Sequence, residues 1–135
     1  MNVVTRIPPS PTGNLHIGTA RTGLYNYLFA KSKGGKISYR SEDTDASRSK
    51  REYEEEIIEG LQWLGLSWDK FSRQSERTER YTQALAQVIE SGHAYVSKEP
   101  MKDDASKTVE VVRLKNPGRD VPFTDVIRRV LRYEN

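Results

Sequence analysis

Cysteine is absent from this chain of 135 residues. Its absence excludes a disulfide framework and any thiolate zinc site. Long hydrophobic runs are absent too: nothing approaches the ~20 consecutive apolar residues that a membrane-spanning helix needs, and the first residues lack the basic-then-apolar layout of a secretory signal. Neither sign of charge dominates. Twenty-two basic against nineteen acidic side chains leave a net charge of +3, compatible with an anionic partner but too small to demand one. There is no internal repeat, no low-complexity tract and no G-x-x-x-x-G-K-[ST] phosphate loop; the GGKI stretch at 34–37 has neither the upstream glycine nor the hydroxyl. What remains is 35% apolar and 30% charged, enough for a core under a polar surface. The expectation is a cytoplasmic globular protein that engages no membrane.

The pattern along the chain predicts alternating strands and helices. NVVTRI (2–7) is β-prone and ends at Pro8. Helix formers dominate from about Gly18 to Ser32, with Leu24, Tyr27, Leu28 and Lys31 at helical spacing, and KGGK (33–36) supplies the stop. KISYR (36–40) alternates as a second strand, followed by the polar loop SEDTDAS. Ser49 with Glu52 forms a candidate capping box, and Tyr53, Ile57, Leu61 and Leu64 give the next helix an apolar face ending at Gly65. A third helix is expected from Glu76 to Ser91, with a stripe of Tyr81, Ala84, Leu85, Val88 and Ile89. HAYVS (93–97) is the expected third strand. TVEVVRL (108–114) and VPFTDVI (121–127) read as two strands around an NPG turn. The fold class is α/β: the first half of an open parallel sheet with right-handed crossovers, at 1–97, followed by a small subdomain at 98–135.

PPSPTGNLHIGTARTG (8–23) is the most informative stretch. A helix that starts near Gly18 offers unpaired N–H groups and a partial positive charge, a seat for phosphate. Gly18 lets a ring or phosphate approach the backbone. His16, just ahead, is placed to donate to a phosphate oxygen, and Pro9 and Pro11 stiffen the loop. Taken alone, H-x-G also reads as an ordinary surface loop. The second element is RSEDTD (40–45): loops after neighbouring parallel strands open onto one sheet edge, so Glu42 should face the same crevice and be able to bind an ammonium. Asp43 and Asp45 read equally as acids that complement the following helix, and magnesium is expected to arrive with the phosphates of ATP.

Together these stretches resemble a known family, the class I aminoacyl-tRNA synthetases, and within it the glutamyl-tRNA synthetases of bacterial type. RIPPSPTGNLHIGTART resembles the first signature, in which HIGT stands for His-Ile-Gly-His. GGKISYRSEDTD resembles the second block, EGLQWLGLSWD (59–69) the third and QSERTERYTQALAQVIESGHAYV the fourth, in order over roughly residues 3–96. The resemblance implies a Rossmann-like, doubly wound catalytic domain that joins glutamate to the α-phosphate of ATP, then passes it to the tRNA 3′ end. It implies Pro9, Ser10, Gly13, His16, Gly18 and Thr19 around ATP, with His16 and Thr19 catalytic. It implies Arg6, Ser10 and Glu42 around the amino acid, with Glu42 on its ammonium and Arg6 on a carboxylate. Residues 98–135 then resemble the start of the inserted subdomain that grips the tRNA acceptor end.

Departures from the family pattern are Pro8 for a common alanine, Ser41 for an apolar residue, and RVLRYEN at 129–135 in place of a glycine and strand. The zinc-binding cysteines common in the family are missing near AYVSKEP, so no zinc is expected. On this reading the chain carries one wall of the cleft, strand one keeps a bare edge, and weak or no autonomous aminoacylation is expected. Three other readings stand beside it: the enzyme that glutamylates a modified base in tRNA-Asp (glutamyl-queuosine tRNA(Asp) synthetase); a small nucleotidylyltransferase; and a non-catalytic module binding nucleotide or tRNA. Lys107, Arg113, Lys115, Arg119, Arg128 and Arg129 are candidates for RNA phosphates or members of a solvated face. The oligomeric state is left open.

Overall fold

The computed structural model describes residues 3–102, 104–125 and 128–133. In chain order the elements are β1 (Val4–Ile7), α1 (Ile17–Ser32), β2 (Lys36–Ser41), α2 (Arg51–Trp63), β3 (Lys70–Arg73), a 3₁₀ turn at Ser75–Arg77, α3 (Thr78–Glu90), β4 (Ala94–Pro100), β5 (Thr108–Leu114), β6 (Val121–Asp125) and β7 (Arg129–Tyr133). They fall into two compact units, residues 1–79 and 80–135. The expected boundary at 97/98 lies inside β4.

The first unit is a three-stranded parallel sheet in the order β1-β2-β3. The two crossovers step in the same direction and deliver both helices to one face, so they share one hand. That face carries Ile7, Ile37 and Tyr39, which pack with Ala30 of α1, Ile57 and Leu61 of α2, and Leu66. Alternate residues Arg6, Ser38 and Arg40 take the opposite, polar face, as the period of two requires. The rings of Trp68 and Phe71 lie against Tyr39, with centroids 4.7 and 5.3 Å away.

Several expectations need correction. The third parallel strand is Lys70–Arg73, not HAYVS: Asp69 clips it to β2, accepting from the Ile37 amide at 2.7 Å and donating its own N–H to the Ile37 carbonyl. HAYVS instead opens β4, which runs antiparallel to β5 over its whole length. The strands flanking the NPG turn do not pair with each other; β6 pairs with β7. The end of the expected strand at 126–127 lies outside the described residues.

The Ser49–Glu52 capping box does not form. Lys50 is the N-cap of α2 without a side-chain bond, and Ser49 Oγ is buried without a partner among the described residues. Lys50 donates its backbone N–H to Pro11 O at 3.0 Å instead, which moves the helix start past Ser49. The buried side of α1 is Ala20, Gly23 and Ala30, whereas Leu24 and Leu28 are exposed. Small residues win there because the helix runs close to its neighbours: a Cβ on Gly23 would lie 3.4 Å from both Leu61 and Leu66. None of the residues of α3 is buried, its expected stripe included.

Candidate functional site

Parallel pairing of β1 with β2, in the register Arg6↔Ser38 and Ile7↔Tyr39, sends both following loops to the same sheet edge. The two loops are joined directly. The Glu42 amide donates to Pro9 O at 2.8 Å, and Pro9 is buried. The Thr12 amide donates to Ser10 O at 2.9 Å, so the proline segment turns back before α1.

His16 is the N-cap of α1. Its Nδ1 accepts the Gly18 amide at 3.2 Å, and its Nε2 lies 3.1 Å from Thr19 Oγ1. Because Nδ1 accepts, a neutral ring carries its proton on Nε2 and donates to the threonine. Gly18 makes this fold-back possible: a Cβ there would sit 3.0 Å from both Nδ1 and Cε1 of His16. Thr22 Oγ1 donates to Gly18 O at 3.0 Å. His16, Gly18, Thr19 and Thr22, with Ile7 and Pro8, line an open hollow of about 220 Å³. The first-turn donor expected for phosphate is thus occupied at Gly18 by the histidine itself.

Glu42 sits just beyond β2 on the polar face. Arg40 Nη2 donates to its Oε1, and Arg6 Nη2 stands 3.9 Å from the same oxygen. The structure therefore brings Arg6 and Glu42 together and adds Arg40, a residue absent from the expected site. Its signal was available: Arg40 precedes Glu42 by two, the spacing that places strand residues on one face. Ser10 is exposed. A Cβ on Gly13 would meet nothing within 4 Å, so no close approach demands glycine there.

The other acids of SEDTD have separate duties. Asp43 accepts from the Ser75 amide at 2.9 Å and hydroxyl at 2.5 Å. Burial pushes its carboxyl up, but the Ser75 bonds outweigh that and leave it below the usual aspartate value. Asp45 is held low by hydrogen bonds from Ser47 and Arg48. No group of three potential metal ligands converges among the described residues. In the second unit Arg113 is paired with Glu99 at 2.5 Å and Lys107 with Asp104 at 3.0 Å, so two of the candidate RNA-facing cations already have acidic partners.

Comparison with known proteins gives this geometry a context. The chain is 56% identical over 93 residues to a glutamate–tRNA ligase of Aquifex aeolicus, an alignment covering 69% of this chain and 20% of that protein. It is 44% identical over 128 residues to one from Synechococcus, covering 90% and 27%. The crystal structure of a glutamate tRNA ligase from Elizabethkingia meningosepticum in complex with its amino acid superposes with a TM-score of 0.82 at 30% identity, covering 98% of this chain and 36% of that one. The chain thus spans about a fifth to a quarter of the length of these curated relatives. The description "tRNA synthetases class I (E and Q), catalytic domain" matches residues 2–125, and the chain belongs to that family.

Proposed function

We propose that this chain supplies the amino-acid and nucleotide recognition elements of a cytoplasmic glutamate–tRNA ligase. The glutamate α-carboxylate displaces pyrophosphate from the α-phosphate of ATP, with magnesium brought by the nucleotide. The glutamyl group then passes from the adenylate to the 3′ end of tRNA, releasing AMP. The observation that carries this reading is the shared sheet edge. One loop there presents a histidine-capped helix start, and the other a carboxylate flanked by guanidiniums.

In this reading Pro9, Ser10, Gly13, His16, Gly18 and Thr19 border the nucleotide. The Nε2–H of His16, now directed at Thr19, is the donor that a phosphate oxygen takes over as its charge grows. Thr19, standing in the second histidine position of the HIGT motif, receives and steadies that ring. Glu42 binds the substrate ammonium. Arg6, half exposed on its edge strand, offers its planar fork to a substrate carboxylate, and Ser10, exposed in the loop after β1, is assigned to the same amino acid. No covalent enzyme intermediate is required, so these residues work by positioning and charge stabilisation. The antiparallel pairs β4–β5 and β6–β7 belong to the inserted subdomain that meets the tRNA acceptor end, and the nucleotide-binding half precedes them.

The test is ATP–pyrophosphate exchange by the protein that carries this chain. Exchange that depends on glutamate, and that falls by about 10²-fold in His16→Ala as a well-aimed donor is lost, supports the reading. Exchange driven by another amino acid at equal or greater rate overturns it.

A further inference from the structure

Arg40 lies on the central strand, in register with Ser72 of β3, and its side chain is 26% exposed. Its Nε is buried with no partner among the described residues, so the guanidinium meets Glu42 through Nη2. Arg6 approaches the same carboxylate oxygen from the edge strand, but at 3.9 Å and with half its side chain in solvent. Two cations thus compete for one oxygen, and the better-rooted one holds it.

From this competition we infer that Arg40 is a positioning residue: it holds Glu42 and thereby keeps the Arg6 guanidinium free for a substrate carboxylate. The inference rests on the amino-acid site proposed above. Without Arg40, the nearest cation to Oε1 is Arg6, whose long exposed side chain needs only a small swing to close 3.9 Å into a hydrogen-bonded pair. That pair would silence both recognition groups at once, the carboxylate meant for an ammonium and the guanidinium meant for a carboxylate. The full set of Arg6, Arg40 and Glu42 carries two positive charges and one negative. Glutamate, with two carboxylates and one ammonium, carries the inverse.

The test uses the protein that carries this chain, with isotope-labelled arginine and glutamate, in wild type, Arg40→Met and Arg40→Lys, followed by NMR. Arg6 Nη–H exchange with solvent, read at low temperature, reports its pairing without any substrate. In Arg40→Met this exchange is expected to slow several-fold, and glutamate binding to weaken by about tenfold, the scale of one charge-assisted hydrogen bond. Arg40→Lys, which keeps the cation, is expected to restore most of the Arg6 exchange rate, a recovery that a purely structural role would not give. Unchanged Arg6 exchange in Arg40→Met with β1–β2 amide resonances intact overturns the inference; if Arg40→Met does not fold, Arg40→Gln, which also removes the cation, takes its place, slower Arg6 exchange supporting the inference and an unchanged rate overturning it. If glutamate leaves the wild-type Arg6 and Glu42 resonances unmoved, the proposed substrate is wrong, and the exchange rates still decide whether Arg40 governs the pairing.

Discussion

Replacing Glu54 with alanine is expected to destabilise the first unit by about 2–3 kcal/mol. Glu54 is one of two buried polar side chains among the described residues. Its side chain is 4% exposed and accepts from Arg73 Nε with both oxygens, at 3.1 and 3.0 Å, linking α2 to β3. Removing one member of a buried pair generally costs about 3–5 kcal/mol, because the other charge is left without compensation. Two features reduce that figure here. Arg73 is 22% exposed, and its Nη1 keeps Glu76 at 2.8 Å. The further contact from Arg51 is mostly solvated and adds little. Against a total stability of roughly 0.05–0.15 kcal/mol per residue, the loss is a large fraction of what the unit possesses. Urea unfolding followed by circular dichroism measures it, with Glu54→Leu, Arg73→Met and the double variant Glu54→Leu/Arg73→Met closing a cycle. The double variant should recover at least half of the loss, since apolar side chains can replace a buried pair. A Glu54→Ala cost below about 0.5 kcal/mol, or simple additivity in the cycle, would refute the assignment of this pair as the clamp between α2 and β3.

Three further outcomes follow from the same geometry. Gly35→Ala places a Cβ 2.5 Å from Val3 O, a backbone atom that cannot yield without parting β1 from β2; a loss of about 1–3 kcal/mol and faster amide exchange in β1 are expected, whereas Gly13→Ala, with open space around it, should be near neutral. Tyr39→Phe removes a buried hydroxyl that has no partner among the described residues. Its urea midpoint should rise by the equivalent of about 1 kcal/mol, and a fall of that size would show that the hydroxyl is satisfied. Asp43, held low by Ser75 against burial, contributes stability above the usual aspartate range, near pH ~4, and loses it as pH falls through its lowered folded value. In Ser75→Ala a carbon-detected NMR titration should show the Asp43 midpoint moving upward, with the acid transition starting at higher pH; an unmoved midpoint would assign the shift to other groups.

Much of the site could be read before any coordinates. The rigid PPSPTG turn, the histidine at the mouth of a helix and the acid after KISYR are local features. Their chemistry needs only a neighbouring parallel pair, which the strand-helix-strand rhythm already implies. The third strand was not legible, because KFSR is four residues long with a charge at each end and carries no alternation signal. It becomes a strand through Asp69, whose carboxylate and amide reach across 32 residues to Ile37. The capping box failed for a related reason: Lys50 N is claimed by Pro11 O, a contact made only once the two loops meet.

The sequence by itself determined which groups stand at the sheet edge: a histidine and glycine opening α1, an arginine in β1 and a glutamate after β2. Residue order and the period of a strand fix these without reference to distant neighbours. Tertiary structure alone decided how those groups are engaged. It set Arg6 of the neighbouring strand 3.9 Å from the Glu42 oxygen that Arg40 holds, bound Asp43 to Ser75, and joined Asp69 to Ile37. Such choices depend on which donors and acceptors, far apart in the chain, arrive within ~3 Å of one another, and only packing sets that distance.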